Sequence, residues 1–258
     1  MPVLDVLGQP MNLATRGKSG QPILFLHGLG PGALAWDLVV QGLPEHFRAL
    51  MLELPGFGQS PRGSFDGDID HAVTLLHRAL HQANQSNKIP VVAHGYGGFV
   101  ALSLAARFPG HVGHLILIGS SGYVRDVKQL WALYERIKAK GWNTTSANTW
   151  ISSGLVETLA DDHLTAVCEA TAQVDPDLFT GCLQAMIGGV YLEAVRTITA
   201  PILVMRGAAD PVVTQDDAAL IVARASDATH LDIPDAGHWP HLEAPAECRA
   251  ALVDFIRP

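Results

Sequence analysis

Short continuous apolar segments recur along the first half of this chain, and each is followed by a glycine-containing turn. Residues 22–26, 90–93 and 114–118 are three such segments. A strand that is apolar at every position is buried on both faces, as in a parallel sheet covered by helices on each side. Because helical patterns follow most of these segments, the sequence predicts an α/β protein with a doubly wound, mostly parallel sheet.

Eight strand patterns and one long helical interval organise the chain. The strand patterns cover residues 3–7, 11–15, 22–26, 47–54, 90–93, 114–118, 201–205 and 229–233. Helical patterns cover residues 33–43, 68–83, 98–107, 215–225 and 245–256. Between residues 120 and 189 only helical patterns occur, and the strongest covers residues 123–140. We therefore expect a core formed by residues 1–119 and 190–258, with a helical cap, residues 120–189, inserted after strand 6.

The composition limits the classes of function. The 258-residue chain is 48% hydrophobic and 16% charged, which indicates a folded chain with a substantial core. Its formal net charge of −8 argues against nonspecific binding to nucleic acid or anionic membranes. Cys168, Cys182 and Cys248 lack the spacing of a zinc site or a disulfide framework.

These features lead to a set of expectations about location and partners. The sequence shows neither a signal-peptide pattern nor an apolar run of about 18 residues, the length that a membrane span requires. We expect a cytoplasmic monomer or homodimer that acts on a small molecule. We expect no cofactor, metal ion, nucleic acid or membrane partner.

Five short motifs stand at the ends of predicted strands, in a fixed order along the chain. They are HGLGPG at residues 27–32, ELPGFGQS at 53–60, AHGYGG at 93–98, RGAADP at 206–211 and AGHWPH at 236–241. Together they resemble the α/β-hydrolase superfamily, and the resemblance covers nearly the whole chain. It implies the α/β-hydrolase fold, with the ligand bound beyond the carboxyl ends of the strands.

The resemblance also implies roles for individual residues. Asp210 matches the family's acid, and His238, about thirty residues later, matches the catalytic histidine that the acid orients. The backbone N–H groups of Leu29 and Tyr96 match the oxyanion hole. His241 is close in sequence, but it lies one turn into a predicted helix, and we expect a structural role for it.

One position departs from the family pattern. The sharp turn that carries the nucleophile requires small residues two positions before and two after it, and Ala93 and Gly97 meet this requirement around Gly95. With His94 or Tyr96 at the tip instead, bulky side chains would stand at the flanks. Gly95 therefore occupies the nucleophile position, and it has no side chain with which to form an acyl-enzyme. A natural glycine, an engineered replacement of serine and a move to non-covalent chemistry all remain open at this point.

The substrate class follows from a narrower similarity. The HGLGPG turn, with Trp36 after it and a tryptophan after the histidine, is similar to carbon–carbon bond hydrolases that cleave meta-cleavage products in aromatic degradation. This implies a small carbonyl-containing substrate and an ester or carbon–carbon bond hydrolase reaction. The predicted substrate-binding residues are His27, Gly28, His94, Trp131 and Trp239. Of these, His27 is expected to pack against the turn rather than to react.

Three functions are compatible with these residues. The first is an enzyme that uses Asp210 and His238 as a general base without a nucleophilic serine, or an inactivated serine hydrolase. The second is a non-catalytic small-ligand-binding protein on the same fold. The third is a cofactor-free lyase or oxygenase that uses the same pair to remove a substrate proton. The presence of both residues favours an enzyme, because a protein that only binds a ligand has no need of the pair.

Overall fold

A computed structural model of the chain describes residues 3–85, 87–156 and 162–257. The described strands are β1 (Val3–Val6), β2 (Gln9–Arg16), β3 (Gln21–Leu26), β4 (Phe47–Leu52), β5 (Ile89–His94), β6 (Val112–Ile118), β7 (Ile202–Gly207) and β8 (Ala228–Ile233). They form one sheet in the order β1-β2-β4-β3-β5-β6-β7-β8. Strands β3 to β8 are parallel, while β2 pairs antiparallel with both β1 and β4. The predicted eight-stranded, mostly parallel sheet is confirmed.

Helices cover both faces of this sheet. The described helices are α1 (Asp37–Val40), α2 (Ile69–Gln82), α3 (Tyr96–Arg107), α4 (Val127–Lys140), α5 (Thr144–Ser152), α6 (Asp162–Ala172), α7 (Pro176–Gly188), α8 (Gln215–Val222), α9 (Pro240–Glu243) and α10 (Pro245–Phe255). The prediction of one helix over residues 33–43 is wrong, because Gly32–Trp36 forms a 3-10 turn and only the short α1 follows it.

Helices α4 to α7 lie between β6 and β7 in the chain, inside the interval predicted as a cap. Helix α4 begins four residues later than its pattern predicts, because the Asp126 carboxylate accepts a hydrogen bond from the backbone N–H of Gln129 (2.9 Å) and caps the helix there. Trp142 and Phe179 pack with their ring centroids 4.3 Å apart and join these helices. The exact division into core and cap stays a prediction.

Side chains from successive strand positions point to opposite faces and form a core on each side. Val91 and Leu115 belong to the apolar cluster that includes side chains of α2 and α3. Their neighbours Val92 and Ile116 belong to a second cluster with Trp36 and side chains of α10. Burial on both faces explains why these strands are apolar at every position rather than at alternate ones.

Parallel pairing brings the carboxyl ends of the central strands to one edge of the sheet. Leu26 at the end of β3 pairs with Ala93, which pairs in turn with Leu117 near the end of β6. The turns that follow these strands therefore lie side by side, and they are the turns that carry the sequence motifs. Among the described helices, none is both long and apolar enough to cross a membrane.

Candidate active site

The turn between β5 and α3 has the shape that a sharp strand-to-helix turn requires. Gly95 has φ 49° and ψ −119°, a conformation that side chains rarely adopt. Two residues later, a Cβ at Gly97 would come within 2.5 Å of the His27 carbonyl oxygen, so only glycine fits there. Gly97 is the small residue that the sequence predicts two positions after Gly95. It must be small because the start of α3 packs directly against the end of β3.

Gly95 itself is not crowded. A Cβ placed there meets only the Gly28 Cα, at 3.8 Å, which is ordinary van der Waals contact. The backbone carbonyl of Gly95 accepts a hydrogen bond from the Ser120 hydroxyl (3.0 Å), which holds the turn to the end of β6. The position therefore has space for a side chain, and the backbone conformation is the sole obstacle to one.

His238 and Asp210 form a buried pair at the ends of β8 and β7. The imidazole Nδ1 lies 3.2 and 3.1 Å from the two carboxylate oxygens of Asp210, whose side chain is fully buried. Asp210 also accepts hydrogen bonds from the backbone N–H groups of Val212 (2.7 Å) and Val213 (3.0 Å). This arrangement fixes Nδ1 as the protonated nitrogen and leaves Nε2 as the basic one.

The electrostatics of Asp210 support this role. Burial acts to raise the pKa of its carboxyl, but the charge of His238, its hydrogen bond and the two backbone N–H groups outweigh burial and lower that pKa below its ordinary value. The carboxylate therefore stays ionised at neutral pH and stabilises an imidazolium when His238 takes up a proton.

A loop of the cap interval holds the turn that carries His238. The His238 backbone N–H donates to the Gly154 carbonyl (2.6 Å). The Glu243 carboxylate accepts from the backbone N–H of Val156 (2.8 Å) and from that of Gly237 (2.8 Å). One carboxylate therefore joins the cap loop to the residue directly before His238. The sequence gives little sign of this role, because Glu243 looks like an ordinary helix carboxylate.

The loop that contains Leu29 depends on a second carboxylate, Glu53, which the sequence motifs did not single out. One oxygen of this buried side chain accepts from the backbone N–H of Ala33 (2.7 Å). The other accepts from the Asn12 amide (2.7 Å) and from the backbone N–H of Gln59 (2.8 Å). Glu53 thus holds two glycine-rich loops together. The available signal was an acidic residue at the end of a buried strand, directly before Leu-Pro-Gly.

Leu29 and Tyr96 both border the site. Tyr96 is the first residue of α3, where a backbone N–H has no acceptor within the helix. Its phenol is buried and donates to the Gly67 carbonyl (2.9 Å), so the side chain points away into the core. The Leu29 side chain is buried at the start of the loop held by Glu53. These positions suit the predicted oxyanion hole.

His94 holds the backbone of His238 in place. Its Nε2–H donates to the His238 carbonyl (2.9 Å), and its ring centroid lies 4.5 Å from that of Trp239. Burial, and secondarily the charge of His238, lowers the pKa of His94 from 6.5 to about 3. A Cβ at Gly28 would come within 2.6 Å of its Nδ1, so residue 28 must remain glycine. His94 is thus a neutral group that packs against Trp239, and it also borders the cavity described below.

The remaining predicted substrate-binding residues lie in different parts of the structure. Trp239 borders the cavity described below. His27 instead donates from Nδ1 to the Gly28 carbonyl (2.8 Å) and accepts at Nε2 from Leu54 N–H (3.2 Å). Both of its nitrogens form hydrogen bonds with backbone atoms, in agreement with a packing role.

Trp131 is not among the cavity residues, because it is 39% exposed on α4 and packs on Tyr134. His241 is fully buried and packs at a tilt against Trp36, with the ring centroids 4.7 Å apart.

A cavity of about 640 Å³ opens between the carboxyl edge of the sheet and the helices of the cap interval. Its lower wall includes Leu29, Gly95, Tyr96, Ser120, His238 and Trp239. Its upper wall includes Leu130, Leu133, Ile137, Trp150 and Met186. His238, Gly95 and the two residues predicted for the oxyanion hole therefore border one mostly apolar space of the size that small-molecule sites have.

Known proteins of related sequence act on carbonyl compounds. Over 248 residues the chain is 26% identical to 2-hydroxy-6-oxo-6-(2'-aminophenyl)hexa-2,4-dienoic acid hydrolase of Metapseudomonas resinovorans, covering 92% of this chain and 84% of that protein. It is 27% identical over 262 residues to 2-hydroxymuconate semialdehyde hydrolase of Pseudomonas sp. (strain CF600), and the match covers 92% of this chain and 87% of that protein.

Comparison with solved structures gives a result consistent with these sequence similarities. The enol-lactonase from Burkholderia xenovorans LB400 superposes with a TM-score of 0.89 over 99% of each chain, at 18% identity. The sequence profile described as the alpha/beta hydrolase family matches residues 23–251. Because that match spans most of the chain and the fold agrees, the protein belongs to the alpha/beta hydrolase family.

Proposed function

We propose that this protein is a hydrolase of a small carbonyl compound, an ester or a vinylogous diketone acid, that works without a nucleophilic side chain. Gly95 stands at the nucleophile position of the family turn. Asp210 orients His238, which acts as a general base on a water molecule beside Gly95. The backbone N–H groups of Leu29 and Tyr96 stabilise the oxyanion.

The observation that carries the proposal is the intact Asp210–His238 pair beside an uncrowded glycine turn. The imidazole is held at 3.1 Å by a buried carboxylate whose lowered pKa keeps it charged. Both His238 and Gly95 border the same cavity. A space left by a hydroxymethyl group suits one water molecule when polar partners surround it. The pair and the two N–H groups are such partners.

Each step of the proposed reaction uses groups already described. His238 Nε2 takes a proton from water, and the water oxygen forms a bond to the substrate carbonyl carbon. The carbonyl electrons move onto oxygen, which accepts hydrogen bonds from the two N–H groups. As the oxyanion collapses, the bond to the leaving group breaks and His238 returns its proton to that group. The products are an acid and an alcohol, or an acid and a carbon-protonated fragment.

The substrate class rests on the family relatives and on the cavity. The names of the relatives specify a dienoic acid hydrolase and a semialdehyde hydrolase. The upper wall combines apolar side chains such as Leu133 with the cations Arg136 and Lys140, which suits an apolar carbonyl compound that carries a carboxylate.

The decisive experiment compares wild type, Gly95→Ser and His238→Ala on activated esters and on vinylogous diketone acids. We expect slow turnover by wild type that His238→Ala abolishes. Gly95→Ser should gain at least about a hundredfold on esters, because it supplies the missing nucleophile. If His238→Ala changes neither turnover nor ligand affinity, the active-site assignment is wrong. If wild type is inert while Gly95→Ser is active, the chain is a serine-hydrolase scaffold without its nucleophile.

A further inference from the structure

Three histidine rings converge at the edge of the sheet opposite the cavity. His77 and His81 lie one turn apart on α2, and His111 immediately precedes β6. One nitrogen atom of each ring lies within 4.8 Å of the corresponding atoms of the other two. His77 Nδ1 and His111 Nε2 are 2.8 Å apart. We call these residues the three-histidine cluster.

The surrounding structure holds two of these rings in place. The ring of His77 stacks on Phe108, with centroids 4.0 Å apart and an interplanar angle of 11°. His111 is buried, and its backbone N–H donates to the Phe108 carbonyl (3.0 Å). His81, in contrast, is exposed to solvent. The cluster therefore combines two positioned imidazoles with a third that is accessible from outside.

The spacing fits coordination of one metal ion. At a metal–nitrogen distance of about 2.1 Å, two nitrogens at a right angle lie about 3.0 Å apart, and two at a tetrahedral angle about 3.4 Å. The 2.8 Å between His77 and His111 is close to the first value. Histidines at positions i and i+4 of a helix face the same side, which places His81 beside His77 as the third member of the set.

The type of side chain also suits a metal ion. Neutral imidazole is the form that coordinates metals, and imidazole ligands suit nickel, copper and zinc rather than magnesium or calcium.

We propose that the three-histidine cluster is a binding site for one divalent transition-metal ion, with His77, His81 and His111 as its protein ligands. The bound ion joins α2 to the segment before β6 and so stabilises the native state. Strand β6 has seven residues, and Gly119, which directly follows it, borders the cavity. The site is therefore about 20 Å from the cavity, at about 3.3 Å for each strand residue, and it takes no part in the hydrolysis proposed above.

The test is calorimetric titration of the tag-free, full-length protein with nickel, copper and zinc chlorides, with magnesium chloride as the hard-ion control. We expect one equivalent to bind for at least one of the three transition metals, and no binding of magnesium. At a hundredfold excess over Kd, that metal should raise Tm by about 5 °C.

Single-residue variants show whether the metal binds at this cluster or at other histidines of the chain. His81→Ala removes an exposed ligand with little risk to folding, and affinity should fall at least about tenfold. His111→Gln should have the same effect, while His46→Ala, an exposed histidine outside the cluster, should bind as wild type does. The absence of one-to-one binding, or binding that His81→Ala leaves unchanged, overturns the proposal. Both measurements are independent of catalytic turnover.

Discussion

Gly95 combines two properties that the other glycines of its turn do not share. Its φ of 49° is unfavourable for a side chain, yet a Cβ there would meet no close neighbour. At Gly97 and Gly98 the reverse holds, because a Cβ would overlap the His27 carbonyl oxygen or the Ser120 side chain. The turn therefore has no room for a side chain at residues 97 and 98 but has room for one at residue 95.

This difference predicts that activity and stability change in opposite directions in Gly95→Ser. Ester turnover should rise, while the free energy of unfolding should fall by about 1–3 kcal/mol because a side chain is placed at positive φ. Urea denaturation monitored by circular dichroism measures the second effect. Gly97→Ala is the matched control, and it should lose stability without any gain in activity. A Gly95→Ser protein that is more stable than wild type would contradict this account of the turn.

Protonation of buried His94 should make the fold sensitive to acid. Its pKa is about 3 in the native state and near 6.5 when the chain unfolds, so between these values only the unfolded chain binds the proton. Stability then falls by about 1.4 kcal/mol for each pH unit below 6.5. The lowered pKa of Asp210 adds to this only in more acidic solution, because its ordinary value is 3.8.

The corresponding variant is His94→Gln, which keeps an amide donor for the His238 carbonyl. Denaturation between pH 7 and 5 should show a slope of stability against pH that is shallower than that of wild type by about one proton. His46→Gln, at an exposed position, should leave the slope unchanged. An unaltered slope in His94→Gln means that His94 is not the group responsible.

The sequence allowed prediction of the Asp210–His238 pair, but not of the carboxylates that hold the loops around it. Asp210 and His238 follow buried strands within recognisable turns, and the structure brings them together. Glu53 begins the ELPGFGQS motif and Glu243 lies in α9, but each binds a backbone N–H from a segment distant in the chain, so their role could not be predicted from the local sequence. Trp131 was expected at the cavity because it is aromatic, but its position on α4 turns it toward solvent.

At the scale of elements, the strands were predictable and several helix boundaries were not. A strand buried on both faces leaves a continuous apolar run, which is visible in the sequence. Helix starts depend on single capping contacts, as Asp126 shows at α4. The segment after β3 follows the turn held by Glu53, and its first residues form a 3-10 helix rather than the regular helix that the pattern predicts.

Glu243 links two elements that are far apart in the chain, and removing its charge should affect both. In Glu243→Gln one oxygen is replaced by an amide donor that faces a backbone N–H. The free energy of unfolding should fall by about 1–3 kcal/mol, and kcat should fall with it because the His238 turn loses its support. Thermal denaturation and steady-state kinetics measure the two effects. Glu247→Gln, at an exposed position of α10, is the control that should resemble wild type.

At the scale of the whole molecule, the cavity has a lower wall and an upper wall, and we expect the two walls to have different functions. The lower wall carries the proposed base and oxyanion donors, and the upper wall contributes apolar and polar side chains from α4, α5 and α7. Changes in the upper wall should therefore alter which substrates fit without altering the chemistry.

Leu133→Trp tests whether the upper wall determines which substrates fit. The larger ring reduces the volume of the cavity, so KM for bulky aromatic esters should rise about tenfold, while KM for acetyl esters should stay near that of the parent. The measurement is best made in the Gly95→Ser background, where ester turnover is expected to be fast. Val127→Trp, on the same helix but exposed and outside the cavity, is the control. Equal effects on small and bulky esters would argue against the upper wall as the selective surface.

The contacts of the cap loop couple the position of His238 to that of the cap interval. The Gly154 carbonyl and the Val156 N–H hold the His238 turn, directly in the first case and through Glu243 in the second. A displacement of Gly154 and Val156 would therefore break the contacts that fix the imidazole beside the cavity. In the hydrolysis that we propose, the general base is in position only while this loop is in place.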